Sequence, residues 1–135
     1  VIGLSMAASC KSLIGVEVVP EAVESARQNA AKMGLTNTRF LCEDAGQAAT
    51  LLAQEGIRPD VVVLDPPRKG VSPEALQAVL QMAPGRIVMV SCNPATMARD
   101  LKTLNEAGYT PQTIQPVDLF PCTKHVECVC LLTKP

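Results

Sequence analysis

The chain reads as an α/β domain: a mostly parallel sheet with helices on both faces and an antiparallel hairpin at its C-terminal end. Three observations predict it. Strand-like and helix-like stretches alternate almost throughout. Two strands, the Val-Val-Val-Leu run between Asp60 and Asp65 and residues 87–90, are unbroken, largely β-branched apolar runs, the composition of strands buried on both faces of a parallel sheet. The last two strands flank a short loop rather than a helix.

The elements follow in order. Residues 1–10 look like a helix already under way. Residues 12–18 form a short apolar strand with an acid, Glu17, near its end. A helix spans 20–33: Pro20 starts it, Glu21 and Glu24 sit in its first turns, and Gly34 follows as its cap. Residues 38–42 are a strand leading to Glu43 and Asp44, and 45–55 a helix ended by Gly56. After the buried strand 60–65, residues 66–70 must be a loop, because Pro66 and Pro67 suit neither helix nor ladder. A helix over 73–83 and a Pro84-Gly85 turn lead into the strand 87–90. That strand stops at Ser91-Cys92-Asn93-Pro94, where Pro94 favours a helix start. A helix over 95–107 closes at Gly108, and strands 112–120 and 126–132 surround the loop 121–124.

Composition bounds the chemistry. With 135 residues the chain suits one domain that buries roughly two-thirds of its unfolded surface. Aromatics make up only 2%, so the core must be aliphatic, with methionine. A net charge of −1 leaves no strong electrostatic footprint for nucleic acid, so an RNA substrate would need phosphate contacts from elsewhere. Six cysteines stand at 10, 42, 92, 122, 128 and 130, without a CxxC pair and with His125 as the only histidine. That pattern argues against a metal site. Several of these cysteines lie in or beside apolar strands, which points to free thiols in a reducing, cytoplasmic compartment. No apolar run reaches the roughly 18 residues of a membrane span. Val1 is followed by no basic leader, so no signal peptide is expected.

The candidate site residues sit at strand ends, where open α/β sheets bind ligands. Cys92 ends a buried strand just before a helix, whose N-terminus favours a thiolate. A small buried residue at a tight turn is the plainer alternative. Glu17 stands where Rossmann-like units hydrogen-bond ribose hydroxyls, although a solvated strand-end acid fits as well. Its partner, a Gly-rich turn, belongs about 20 residues earlier. That places the turn and the strand leading into it before Val1, so a fragment of a longer protein is expected. Asp44 can reach an adenine amino group or simply cap the next helix. The prolines after Asp65 fix where Asp65 and Arg68 point. Glu127, among Val126, Cys128, Val129, Cys130 and Leu131, is either a half-buried carboxylate suited to general-base work or an outward-facing edge residue.

VVVLDPPRKG, VSCNPATMARDL and VDLFPCTKHVE, in this order and spacing, resemble the RNA uracil-5-methyltransferase family, which makes 5-methyluridine in transfer and ribosomal RNA. IGVEVVPEAVESARQNA resembles the family's segment after its glycine loop. The resemblance covers nearly the whole chain and implies a Rossmann-like methyltransferase fold that uses S-adenosylmethionine. It implies Cys92 as nucleophile and Glu127 as base. Gly3, Glu17, Asp44 and Asp65 would serve the cofactor, and Asp65 and Arg68 the uracil. RNA would be the partner, through the full-length protein, with no membrane and no metal in this segment. The D-x-x-C-G-x-G turn of the family is absent, and Cys122 stands where other members often carry a polar residue. These residues on their own are expected to be inactive.

Two competing readings remain. A nicotinamide-dependent enzyme is suggested by Glu17 alone and explains neither DPPR nor SCNP. A non-catalytic nucleotide-cofactor-binding module is the reading from a different class.

Overall fold

The computed structural model describes residues 2–134. The chain divides into two compact units, Val1–Leu51 and Leu52–Pro135.

In the first unit, α1 (Ile2–Met6) continues as a 3-10 turn (Ala7–Ser9), so the expected opening helix tightens in its second half. Then come β1 (Leu13–Glu17), α2 (Pro20–Lys32), β2 (Thr38–Cys42) and the start of α3 (Ala45–Gln54). β1 and β2 pair in parallel, from Leu13 opposite Thr38 to Glu17 opposite Cys42. Pro20 opens α2 at a position whose N–H would go unused in any case. Gly34, at φ +67°, closes it: the Leu35 N–H reaches the Ala30 carbonyl and the Gly34 N–H the Ala31 carbonyl, a Schellman ending. Asn37 Nδ2 then donates to the carbonyls of Ala7 and Cys10, each at 2.8 Å, fastening the start of β2 to the end of the 3-10 turn.

The second unit carries β3 (Val61–Leu64), α4 (Pro73–Met82), β4 (Arg86–Ser91), α5 (Pro94–Glu106), β5 (Thr110–Val117) and β6 (Glu127–Thr133). The strand order is β3-β4-β6-β5, with β3 and β4 parallel and β6 antiparallel to both β4 and β5. The predicted terminal hairpin is present, and its second strand inserts between β4 and β5. Alternation follows from that central place: Cys128, Cys130 and Leu132 are buried on β6, as are Ile87, Met89 and Ser91 on β4. Leu76 and Val79 of α4, Met97, Leu101 and Leu104 of α5, and Tyr109 complete this core. Ser72 Oγ caps α4 by accepting the Ala75 N–H at 3.2 Å.

Most boundaries lie within one residue of the sequence reading, and two expectations need correction. The run 60–65 is not fully buried: Val61 is 42% exposed, and Val62, Val63 and Leu64 are half-buried. Among the described residues β3 pairs only with β4, which leaves its other side uncovered here. The strand expected over 112–120 runs instead over Thr110–Val117. It admits Pro111 because β5 is an edge, where a missing N–H is tolerated, with a register shift between Pro111 and Thr113. It stops at Val117, whose carbonyl accepts the Leu119 N–H in a tight turn.

Candidate active site

β4 delivers Cys92 to the end of the sheet. The last strand residue, Ser91, is 1% exposed, and its Oγ accepts the Asn93 N–H at 3.1 Å and donates to the Asn93 carbonyl at 3.2 Å. That local loop bends the chain at Cys92, which is half-exposed. Asn93 Oδ1 accepts the Ala95 N–H at 3.1 Å and so caps α5, with Pro94 as its first residue. Cys92 lines a cavity of about 200 Å³ together with Arg68, Asn93, Pro94, Lys124, His125 and Val126.

Glu127 begins β6 and is half-buried. Its neighbour Cys128 is the ladder partner of Ser91, so Glu127 and Cys92 follow at the same end of the β4–β6 ladder. Val126 lines the cavity, and Glu127 stands just behind it in the chain without lining the cavity itself.

The loop after β3 is held by α5. The Arg68 carbonyl accepts from Asn93 Nδ2 at 2.9 Å and from Thr96 Oγ1 at 3.2 Å. Arg99 Nη2 donates to the Lys69 carbonyl at 3.0 Å. The Val71 N–H donates to Asp100 Oδ2 at 2.8 Å, and Asp100 Oδ1 pairs with Arg99 at 2.7 Å. Asp100 is 1% exposed, whereas the Arg99 side chain is 57% exposed, so one end of the pair is dry and the other wet. Gly70, at φ +85°, passes so close that an added Cβ would lie 2.6 Å from Asp100 Oδ2 and closer still to Arg99 Nη2. The prolines alone therefore do not fix the loop; three side chains of α5 and its cap residue Asn93 do. Arg68 reaches the cavity, while Asp65 is exposed at the end of β3 and is not part of the lining.

The remaining predicted site residues lie in the first unit. Glu17 ends β1, and its Oε1 accepts the N–H groups of Val18 at 2.8 Å and Val19 at 3.1 Å. Asp44 follows β2, and its Oδ1 accepts the Gly46 N–H at 2.9 Å, the helix-capping arrangement. Both acids are exposed and follow the carboxyl ends of paired parallel strands. Gly3 lies in α1, where an added Cβ would meet Leu13 at 3.4 Å, an ordinary contact.

Sequence reading missed Lys124 and His125 as lining residues and Asn93, Thr96, Arg99 and Asp100 as the grip on the loop. Asp100 carried a signal: it lies between Met97 and Leu101 on the buried stripe of a helix, where a carboxylate needs partners. Elsewhere in the unit, burial pushes the Cys130 thiol and the Tyr109 phenol up from their ordinary values. The Tyr109 hydroxyl donates to the Pro84 carbonyl at 2.8 Å. The six cysteines are all free. Among the described residues no cluster of His, Cys, Asp and Glu is arranged to hold a metal ion, and no helix is long and apolar enough to cross a membrane.

Known proteins match this arrangement. An RNA methyltransferase of Streptococcus pyogenes serotype M18, itself uncharacterised, is 53% identical over 133 residues, which is 98% of this chain and 29% of that protein. One from Bacillus cereus is 49% identical over the same share. The chain thus spans under a third of the length of the curated relatives it matches. Among solved structures, the tRNA (uracil-54, C5)-methyltransferase of Pyrococcus abyssi, in complex with S-adenosyl-L-homocysteine, superposes with a TM-score of 0.80 at 32% identity. The match covers 97% of this chain and 31% of that one. The N-methyltransferase NodS of Bradyrhizobium japonicum superposes with a TM-score of 0.73 at 18% identity over 97% of this chain and 78% of its own, a likeness of fold alone. The fold is the Rossmann-like methyltransferase α/β fold. The family model described as tRNA (uracil-5-)-methyltransferase matches residues 2–135. With that match running through both units and every strand-end residue above, the chain belongs to the tRNA (uracil-5-)-methyltransferase family.

Proposed function

We propose that this chain is the catalytic part of a cytoplasmic RNA methyltransferase that transfers a methyl group from S-adenosylmethionine to carbon 5 of a uridine in tRNA or rRNA, giving 5-methyluridine. The observation that carries the reading is the Cys92 cavity: a half-exposed thiol at a strand end, in a cavity that Arg68 also lines, with Glu127 at the same end of the neighbouring strand.

The donor set fits the cofactor. Glu17 and Asp44 present carboxylates beyond paired parallel strands, and carboxylates accept from ribose hydroxyls and an adenine amino group. Glu17 Oε1 is engaged by two N–H groups, and Oε2 supplies further lone pairs for a diol. Asp65, exposed beyond β3, serves the cofactor or the uracil edge, and Gly3 the cofactor side. S-adenosylmethionine, when bound, supplies the electrophilic methyl group.

Carbon 5 of uracil is a poor nucleophile. The Cys92 thiolate adds to carbon 6, forming a C–S bond and shifting the ring's electrons onto carbon 5 and the carbonyl oxygen, so that carbon 5 takes up the methyl. Glu127 then removes the carbon 5 proton. The electron pair of that C–H bond restores the C5–C6 double bond and expels the thiolate. An ordinary thiol costs about 2 kcal/mol to ionise at pH 7, a cost that the addition step has to meet. Arg68 is placed to hold the uracil edge at the cavity. The base must leave its stack to enter.

The test uses the full-length protein with S-adenosylmethionine and an RNA carrying 5-fluorouridine, which has no carbon 5 proton to lose. A covalent complex that survives denaturing electrophoresis is expected, and Cys92→Ala should abolish it together with methylation. An adduct persisting in Cys92→Ala would overturn the assignment.

A further inference from the structure

The grip of α5 on the loop after β3 is more than the loop needs to be folded. The backbone of 68–71 is held at three consecutive carbonyl or amide positions by Asn93, Thr96, Arg99 and Asp100. All four belong to α5 or its cap, and α5 begins directly after Cys92. Asn93 is the joint. Its Oδ1 caps the helix while its Nδ2 holds the Arg68 carbonyl, so one amide ties the Cys92 turn to the Arg68 loop.

Resting on the reading above, we propose that Asn93 and the Arg99–Asp100 pair are positioning residues: they lock the Arg68 loop to the Cys92 turn as one rigid body, which sets where the substrate's base stands relative to the thiol. The chemistry of the side chains supports it. A serine or aspartate at 93 would cap α5 as well as asparagine does. Asparagine does both at once from separate atoms, the carbonyl oxygen accepting at the cap while the NH2 donates to the loop, whereas aspartate can only accept and serine has one oxygen for both. Arg99 spends Nη2 on the Lys69 carbonyl and on Asp100, although its side chain is largely exposed and could remain solvated. Asp100 is buried, and its Oδ2 goes to the Val71 N–H of the loop while its Oδ1 takes Arg99. An ion pair with one exposed partner adds little to stability, so its hold on the loop is the larger part of what it does. Arg68 is left with its main chain immobilised at the rim of the cavity that it lines. Displacing a reacting partner by about 1 Å can cost on the order of 100-fold in rate.

The experiment compares full-length wild type, Asn93→Asp and Arg99→Gln. The rate of adduct formation with 5-fluorouridine RNA is measured at saturating RNA and S-adenosylmethionine, alongside calorimetric affinity for S-adenosylmethionine and the thermal unfolding midpoint. Asn93→Asp keeps the cap and turns the donor that faces Arg68 into an acceptor. It should unfold near the wild-type temperature and bind the cofactor within about twofold, while the adduct rate falls on the order of 10-fold to 100-fold. Arg99→Gln, at an exposed side chain, should show the same split to a smaller degree, and Arg99→Lys should restore part of it. Adduct rates within twofold of wild type in both folded variants would sink the clamp while leaving the function standing. No adduct in wild type would remove the assignment of Cys92, and this inference with it. A loss of cofactor affinity equal to the loss of rate in both variants would show a merely structural role and overturn the proposal.

Discussion

Ser91 and Cys128 face each other across the β4–β6 ladder, and both are buried. The residues next in the chain at that end of the ladder are Cys92, just past β4, and Glu127, the first residue of β6. The two side chains proposed for opposite ends of the reaction therefore adjoin the same end of one pair of strands. Glu127 is paired with Val117 of β5, which holds its backbone in the sheet.

That arrangement predicts a trapped intermediate. In full-length Glu127→Gln, Cys92 should still add to the uracil and the methyl should still be transferred. The carbon 5 proton then has no acceptor, and the thiolate cannot leave. A methylated protein–RNA complex stable to denaturing electrophoresis is expected on ordinary RNA, and it should vanish when Cys92→Ala is added. Normal turnover without a trapped complex would make Glu127 a strand-edge residue.

The cofactor side separates packing from contact. Glu17→Gln keeps an oxygen for the Val18 and Val19 N–H groups and loses the charge. S-adenosylmethionine affinity should fall roughly 10-fold, the cost of losing a charged hydrogen bond. At Gly3 the protein leaves room for a methyl group, so Gly3→Ala should fold normally and any fall in affinity would report the ligand itself. Calorimetry on both variants, with unchanged affinity in Glu17→Gln, would remove the ribose role.

Gly15 carries a stability prediction. A Cβ there would stand 2.7 Å from Phe40 Cδ1 and 2.9 Å from Cε1, on the neighbouring strand. Gly15→Ala should destabilise by about 1–3 kcal/mol, since the ring must shift to admit the methyl. Chemical unfolding checks it, and Phe40→Leu in the same chain should recover part of the loss.

The thiols should differ in reactivity. Burial raises the Cys130 thiol, which favours its neutral form in the folded state. Its contribution to stability is thus complete below the ordinary thiol pKa of about 8.5 and is lost as pH rises through the raised folded value. Cys42 and Cys122 are exposed and should alkylate first at pH 8, with Cys130 labelled only after denaturation. Peptide mass spectrometry distinguishes them, and early labelling of Cys130 would contradict its burial.

The fold was largely legible because Pro20, Pro73 and Pro94 mark helix starts and Gly34, Gly56 and Gly108 follow helix ends. Strand burial was not, because a strand such as β3, paired on one side among the described residues, and a central strand such as β4 share the same Val and Ile content. Pairing across the sheet decides which is which, and pairing is a long-range property. At the site, strand ends could be read from where apolar runs stop, so Cys92, Glu17 and Glu127 were placed at sheet ends from pattern alone. The hold of Arg99 and Asp100 on a loop about thirty residues away in the chain leaves no local pattern, and neither does the cavity position of His125.

β5 is the outer strand of its sheet, and it carries Pro111 and Pro116. Their partners on β6 are Leu132 and Cys128, four residues apart, because the irregularity after Pro111 absorbs one position. Two prolines in an outer strand leave it with fewer N–H donors to offer, and the irregularity after Pro111 interrupts its regular pairing. This border, which also exposes Ile114, is thereby a poor template for a foreign strand, so the same prolines that the ladder tolerates act against self-association.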